Sequence, residues 1–200
     1  ARQNRNHYRE SGLLRGIFMD SEGVDRDDEA WGTIAFTFAG VEGVSYRTAW
    51  LERRWGGEIL DFWDDFIQDG RLEERQVEKE DAPLASLAAK LTLEPGQYVR
   101  LPVLLAWHFP NRYSWSVPVE KRTVEDKVGN YYATQYRDAW EVLERTWPQL
   151  DELRRRTLSF VRAFCASSYP AAVKEAALFN LSTLRSQTCF RTPDGRFFGW

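Results

Sequence analysis

The chain has 200 residues, a formal net charge of −3 and 43% hydrophobic residues, a composition typical of soluble globular proteins. This balance excludes a disordered chain, and no apolar run approaches the roughly 20 residues that span a bilayer. The slightly negative charge supplies no basic face to neutralise phosphates, so we expect no nucleic acid partner. The first twelve residues contain no apolar signal core, from which we expect a cytoplasmic location.

The first half of the chain carries the pattern of β-strands. Residues 32–40 (GTIAFTFAG) and 44–51 (VSYRTAWL) are β-branched and aromatic runs bounded by glycines, which predicts two strands joined by a turn. Apolar residues alternate over 87–93, EPGQ supplies a turn, and 98–107 is a second apolar run, which predicts a hairpin. Together these runs predict an antiparallel β-sandwich over residues 1–117.

An aromatic and acidic segment, ILDFWDDFIQDG (59–70), predicts a short helix that ends at Gly70. One hypothesis is that Asp61, Asp64 and Asp65 include a pair of acid/base carboxylates beside rings that stack on a sugar. We favour the alternative, an amphipathic turn in which Phe62, Trp63 and Phe66 face inward and the three acids face water or cap backbone groups.

A second acidic segment, SEGVDRDDEAWG (21–32), raises the possibility of calcium coordination because it is rich in carboxylates. The spacing of these acids does not match the EF-hand pattern. We therefore predict an acidic surface loop.

After a polar linker at 118–130, the periodicity changes to that of α-helices. Apolar residues recur at intervals of three and four over three segments, which predicts three helices within 131–200. Three helices enclose little volume, so we expect their apolar faces to need further packing partners and to favour self-association when exposed. The residues predicted to mark these faces are Trp140, Leu143, Glu144 and Trp147, then Leu150, Leu153, Thr157, Phe160, Val161 and Phe164, then Val173, Ala177, Leu181 and Leu184.

The residues that commonly bind metals are few. Cys165 and Cys189 are the only cysteines, lie in no CxxC spacing and are predicted to be reduced, buried thiols within helical segments. His7 and His108 are the only histidines, so we expect no metal site and no cofactor.

The most unusual stretch is WHFPNRYSW (107–115), where an apolar strand runs directly into polar and aromatic side chains. Pro110 cannot continue a hydrogen-bonded ladder, so the strand is predicted to end at about His108. A lone histidine without a nucleophile motif is more often a hydrogen-bonded packing residue than a catalyst. We interpret the stretch as a domain junction that could line the rim of a substrate site. Its candidate residues are Trp107, His108, Asn111 and Arg112, to which we add Trp200.

Eight segments in fixed order, spread over nearly the whole chain, carry a more specific pattern. They are SEGV…EAWGTIAF, VSYRTAW, DFWDDFIQDGRL, SLAAKLTLEPGQ, LLAWHFPNR, NYYATQYRDAWEV, ALFNLSTLRSQTCF and DGRFFGW. In this order they resemble the N-terminal part of glycoside hydrolase family 116, the family of the non-lysosomal glucosylceramidase or bile acid β-glucosidase.

This resemblance implies a fold and a chemistry. It implies that 1–117 is the C-terminal portion of an N-terminal β-sandwich, 118–130 a linker and 131–200 the first helices of an (α/α)6 catalytic barrel. The family's chemistry is retaining hydrolysis of β-glycosides by a Glu nucleophile and an Asp acid/base about 5 Å apart. Both are expected beyond Trp200, so the resemblance implies no catalytic residue in this chain and no activity of the chain alone.

The expected partners are the β-glycoside substrate and the remainder of the catalytic domain. The absence of an initiating methionine and the end on RFFGW are also what we expect of a piece of a longer protein. The chain contains nine tryptophans. A second hypothesis is a non-catalytic carbohydrate-binding or assembly module that uses those tryptophans that are exposed as sugar platforms.

Overall fold

The fold was analysed in a computed structural model, which describes residues 3–51, 55, 57–75, 81, 84–185 and 188–199. The chain divides into two compact units. The first comprises Ala1–Phe109 and Tyr136–Glu144, and the second comprises Pro110–Gln135 and Arg145–Trp200. Within the described residues, no helix has the length and apolar character needed to cross a bilayer.

The first unit is built on a four-stranded antiparallel sheet. Its strands are β1 (Gln3–Ser11), β2 (Leu14–Glu22), β3 (Thr33–Ala39) and, later in the chain, β6 (Val103–His108). They lie side by side in the order β1, β2, β3, β6. A sheet-rich first half was predicted from the sequence, and the structure confirms it.

One face of this sheet carries small and apolar side chains and packs against residues 136–144. Phe18, Ala35 and Ala106 are buried and lie opposite one another across three strands. The guanidinium of Arg9 covers the Phe18 ring at 3.6 Å from its centroid. The Thr33 hydroxyl accepts a hydrogen bond from the backbone N–H of Ala139, which ties the start of the next helix to the sheet.

The opposite face, which we call the outer face, carries Ile17 and Tyr8 and is partly covered by a second sheet. That sheet has two short strands, β4 (Val44–Arg47) and β5 (Ser86–Ala89), paired antiparallel. Tyr46 of β4 stacks on Tyr8 of β1 with ring centroids 3.8 Å apart. The core of the first unit therefore includes side chains on both sides of the main sheet.

The predicted hairpin around EPGQ is wrong in its pairing. The turn itself is present, because the N–H of Gln97 donates to the carbonyl of Glu94 at 2.9 Å. However, β5 ends at Ala89 and pairs with β4, whereas β6 begins at Val103 and pairs with β3. The apolar residues expected to extend the first arm, Leu91 and Leu93, are exposed, because that arm has no ladder partner beyond Ala89.

Helix α1 (Gly57–Asp69) follows β4 in the first unit. Gly70 has a positive φ of 75°, and its N–H donates to the carbonyl of Phe66, which closes the last turn. The helix therefore ends at Gly70, as predicted.

The second unit is largely helical. After short 3₁₀ turns at Val119–Lys121, Val124–Asp126 and Tyr131–Thr134, the chain forms α2 (Ala139–Thr146), whose first residues belong to the first unit. A 3₁₀ turn at Trp147–Gln149 leads into α3 (Leu150–Cys165), followed by α4 (Ala171–Asn180) and a 3₁₀ turn at Leu181–Arg185. The unit closes with a two-stranded hairpin, β7 (Phe190–Arg191) and β8 (Phe197–Phe198).

The three predicted α-helices are present, and α2 is more deeply buried than α3 and α4. Trp140 and Leu143 of α2 are buried, whereas neither α3 nor α4 has a buried residue. The exposed apolar helix faces expected from the sequence are confirmed, and they include Leu153, Phe160 and Val173.

The two cysteines form no disulfide, as predicted. The expectation that both are buried within helices is wrong. Cys165 is exposed because it ends α3, on a helix without buried residues, and Cys189 lies in the loop before β7.

Candidate functional site

The strand that leads into WHFPNRYSW ends at His108, as predicted. Thr33 of β3 is its partner, and the next residue of the chain, Phe109, precedes the proline that cannot continue the ladder. The border between the two compact units falls directly after Phe109. Trp107 and His108 therefore belong to the first unit, and Asn111 and Arg112 belong to the second.

His108 is a buried, hydrogen-bonded residue with only 4% of its surface exposed. Its Nε2 lies 2.8 Å from the backbone carbonyl of Tyr136. Because a carbonyl can only accept, Nε2 must carry the proton in this bond. The imidazole thus holds residues 136–144 against the end of β6, which is a positioning role.

Trp107 precedes His108 and, by strand alternation, projects from the outer face of the sheet. The residue is 61% exposed, although the large side chain of tryptophan is on average mostly buried in folded proteins. Its ring therefore offers a planar apolar surface to solvent.

Asn111 is buried, and Arg112 packs within the second unit. The Arg112 guanidinium lies over the Phe190 ring, 4.0 Å from its centroid, and its carbonyl accepts from the N–H groups of Val128 and Gly129. The contact between the Arg112 guanidinium and the Phe190 ring is a cation–π interaction. The fifth candidate, Trp200, lies outside the described residues.

A buried arginine in β4 organises the acids of α1. Arg47 is fully buried and donates through Nη1 to Asp61 and through Nη2 to Asp65, both at 2.7 Å. Its Nε donates to the carbonyl of Glu73 at 3.0 Å, and Arg75 contacts Asp61 at 3.3 Å. The four-residue spacing of the two aspartates places them on one helix face, toward the arginine.

This cluster corrects the favoured interpretation of the aromatic and acidic segment. Asp61 and Asp65 were expected to face water or cap backbone groups; both are buried, because Arg47 compensates their charge, and Asp65 also accepts from the N–H of Glu73 at 2.9 Å. Trp63 was expected to be buried and is 51% exposed, while Asp64 is exposed as predicted. The competing hypothesis of an acid/base pair is not supported either, because both carboxylates are bound to the same guanidinium.

The role of Arg47 was missed in the sequence. The available signal was its place in VSYRTAW, where Tyr46 and Arg47 project to opposite sides of a short strand. A charged residue inside such a run marks either an exposed edge or a buried ion pair, and the sequence alone does not decide between them.

The acidic segment at 21–32 forms a surface loop, as predicted, between β2 and β3. Asp25 accepts from the N–H of Asp27, and Asp28 accepts from the N–H of Ala30, so these carboxylates stabilise turns. In the part of the chain that the structure describes, no three His, Cys, Asp or Glu side chains are grouped to hold a metal ion.

Comparison with known proteins identifies the family. The family model described as beta-glucosidase 2, glycosyl-hydrolase family 116 N-term, matches residues 1–153. A comparison with curated proteins finds no match. The matched range covers the main sheet, the buried arginine cluster and the stretch around His108. The chain therefore belongs to glycoside hydrolase family 116, whose N-terminal domain it carries.

Proposed function

We propose that this chain is part of a retaining β-glycosidase that resembles β-glucosidases and glucosylceramidases. Its membership of glycoside hydrolase family 116 over residues 1–153 is the observation that carries the proposal. In this proposal, residues 1–117 form part of a β-sandwich, and residues 131–200 begin an (α/α)6 catalytic barrel.

The proposed reaction needs two carboxyl groups about 5 Å apart, one as nucleophile and one as general acid and base. The buried aspartates of this chain are poor candidates, because Asp61 and Asp65 are held by Arg47 and their charges are compensated. We therefore place the Glu nucleophile and the Asp acid/base of the parent protein beyond Trp200. The chain alone is accordingly proposed to be inactive.

The stretch from Trp107 to Arg112 is proposed to support the parent's active site without breaking bonds. The hydrogen bond from His108 to the Tyr136 carbonyl supports a positioning role for the histidine. The contact of Arg112 with Phe190 supports a similar role in the second unit. We propose that these residues lie near the rim of the substrate site in the complete protein.

The test uses an aryl β-glucoside, with the 200-residue chain and the complete parent protein assayed side by side. The parent should release a sugar that is initially the β-anomer, observed by proton NMR before mutarotation, because double displacement retains configuration. The 200-residue chain should release none. Initial release of the α-anomer by the parent, or turnover by the chain alone, would refute the proposal.

A further inference from the structure

The outer face of the main sheet contains a cleft of about 420 Å³ that lies entirely within the first unit. It forms at one end of the sheet, beside the loop that connects β2 to β3. Its volume is within the range of roughly 300–1,000 Å³ found for small-molecule sites. The residues that line it include Asn4, Ser21, Met19, Ile34 and Phe109.

The strand register places four outer-face residues in one row across the sheet. Asn6 of β1 lies opposite Met19 of β2, Met19 lies opposite Ile34 of β3, and Ile34 lies opposite Trp107 of β6. The row therefore passes from a polar amide, over two apolar side chains, to an exposed indole ring. The Asn6 amide itself donates to the carbonyl of Thr48 at 2.8 Å. Such a surface can receive the apolar face of a sugar ring while neighbouring polar groups bind its hydroxyls.

A second pair of polar residues lies next to this row. Asn4 and Ser21 are cross-strand partners, and the Ser21 hydroxyl donates to Asn4 Oδ1 at 2.9 Å. This bond uses the acceptor of the amide and the donor of the hydroxyl. Within the described residues, the Asn4 Nδ2 donors and the Ser21 lone pairs are thus left to bind ligand hydroxyls.

Phe109 gives the cleft an aromatic wall that depends on a glycine. A Cβ at Gly32 would lie 2.3 Å from the Phe109 ring, so the ring rests directly on the glycine backbone. Any larger residue at 32 would displace the ring. The wall is therefore fixed by close packing against Gly32, immediately before the start of β3.

The charges of the cleft select the class of ligand. Among the described residues that line it, there is no lysine or arginine, and Asp20 alone carries a formal charge. The Asp20 carboxylate is 3.4 Å from the His7 imidazole. A phosphate or carboxylate ligand would find no cation, and a purely apolar ligand would cover the Asn4 amide without binding its donors.

We propose that this cleft is a non-catalytic binding site for a neutral carbohydrate, a β-linked glucose unit or disaccharide. The preference for β-linked glucose rests on the family membership, and binding itself rests on the cleft alone. The site has no pair of carboxylates to cleave the bond. Trp107 is assigned the role of a stacking platform at its rim, and Asn4 and Ser21 bind hydroxyl groups.

The test is a titration of the ¹⁵N-labelled 200-residue chain with cellobiose, followed by NMR chemical shifts. We expect a dissociation constant on the order of 1 mM, with shifts concentrated at residues that line the cleft. Maltose should bind more weakly, and inorganic phosphate should produce no shifts there.

Two variants and one matched control make the assignment specific. Trp107→Ala and Asn4→Ala should each weaken binding of cellobiose about tenfold, the scale of one lost stacking or polar contact. Trp115→Ala removes an equally exposed tryptophan (66%) from the second unit and should leave binding unchanged. The dispersion of each variant's spectrum establishes that it is folded.

The proposal fails if folded wild-type chain shows no cellobiose shifts at 10 mM or more, or if phosphate binds in the cleft. It also fails if Trp115→Ala weakens binding as much as Trp107→Ala. These outcomes are independent of hydrolysis by the parent protein, so the binding site and the proposed reaction can fail separately.

Discussion

Arg47 and Asp61 form a 2.7 Å ion pair in which the guanidinium is completely shielded from solvent. The pair joins β4 to α1, and Asp65, on the next turn of the helix, forms a second ion pair with the same guanidinium. Burial of such charges costs several kcal/mol of desolvation, which only good geometry and further hydrogen bonds offset. The cluster therefore fixes where α1 lies against the small sheet.

Replacement of the arginine should be strongly destabilising. Arg47→Met removes the guanidinium that binds both buried carboxylates, so we expect a loss of about 3 kcal/mol or more in the free energy of unfolding. Denaturant titration followed by far-UV circular dichroism measures it. Arg100→Met, at an exposed arginine, is the matched control and should change stability by less than about 0.5 kcal/mol.

The cause of that loss can be isolated in a triple variant. Arg47→Met combined with Asp61→Asn and Asp65→Asn also removes the two carboxylate charges that Arg47 compensates in the wild-type chain. Part of the lost stability should return, because a neutral amide is far cheaper to bury than a carboxylate. If the triple variant is less stable than Arg47→Met, buried charge is not the cause.

A pH dependence is expected at the start of α2. Partial burial acts to raise the pKa of Asp138, but bonds from the Glu141 N–H and the Arg137 guanidinium outweigh it, and the pKa lies below the ordinary 3.8. A carboxylate with a lowered pKa stabilises the folded state above its ordinary pKa and loses this effect as pH falls through the folded value. Asp138→Ala should therefore cost about 1 kcal/mol at pH 7, as expected for a lost helix cap.

The difference between Asp138→Ala and wild type should begin to shrink once the pH is below about 4, the ordinary pKa at which the carboxyl of the unfolded chain takes up its proton, and should shrink further as the pH falls through the lower pKa of the folded state. Unfolding midpoints at pH 7, 5 and 3 measure this difference. Asp64→Ala, at an exposed acid of α1, serves as the control and should show little effect at any of these values. A constant penalty for Asp138→Ala over the whole range would contradict the pKa argument.

The sequence predicts best where the hydrophobic pattern is regular. Residues 33–39 and 103–108 are strands because their β-branched and aromatic side chains suit a half-buried sheet. By contrast, β1 (QNRNHYRES) was not foreseen, because an edge strand can be polar when one side of it faces solvent. Its place is set by pairing with β2, which is tertiary information.

In the candidate sites, too, local features could be predicted from the sequence and contacts between distant residues could not. The end of the strand at His108 follows from a local rule about proline. The partner of Asp61 and Asp65 does not follow from a local rule. Arg47 is 14 residues from Asp61 and 18 residues from Asp65 in the chain, and only the fold brings the three together. The cleft beside Asn4 and Ser21 depends likewise on the register of two strands.

Gly16 should be intolerant of any side chain. A Cβ at this position in β2 would lie 2.1 Å from the carbonyl oxygen of Phe36 and 2.6 Å from the Cα of Thr37, both backbone atoms of the neighbouring strand. We expect Gly16→Ala to cost about 3 kcal/mol or to prevent folding, because the strands must separate. Thermal unfolding of Gly16→Ala measures it.

The control for Gly16 is Gly12→Asn, in the turn between β1 and β2. Nothing lies within 4 Å of a Cβ there, and asparagine tolerates the positive φ of 55°. Gly12→Asn should melt close to wild type. Equal melting temperatures for the two variants would show that the close approach at Gly16 does not limit stability.

His108→Ala tests whether the histidine positions the chain or breaks bonds. The change removes the hydrogen bond to the Tyr136 carbonyl, so the folded state should lose about 1–3 kcal/mol through the unpaired carbonyl and the small cavity. In the complete parent protein, we expect a modest fall in kcat, with no change in the shape of the pH–rate profile. His108→Gln, whose amide can also donate to the carbonyl, should recover part of the lost stability and activity. A fall in kcat of more than about 10⁴-fold, the upper range for a lost general acid or base, together with loss of one limb of the pH profile, would instead make His108 a catalytic residue.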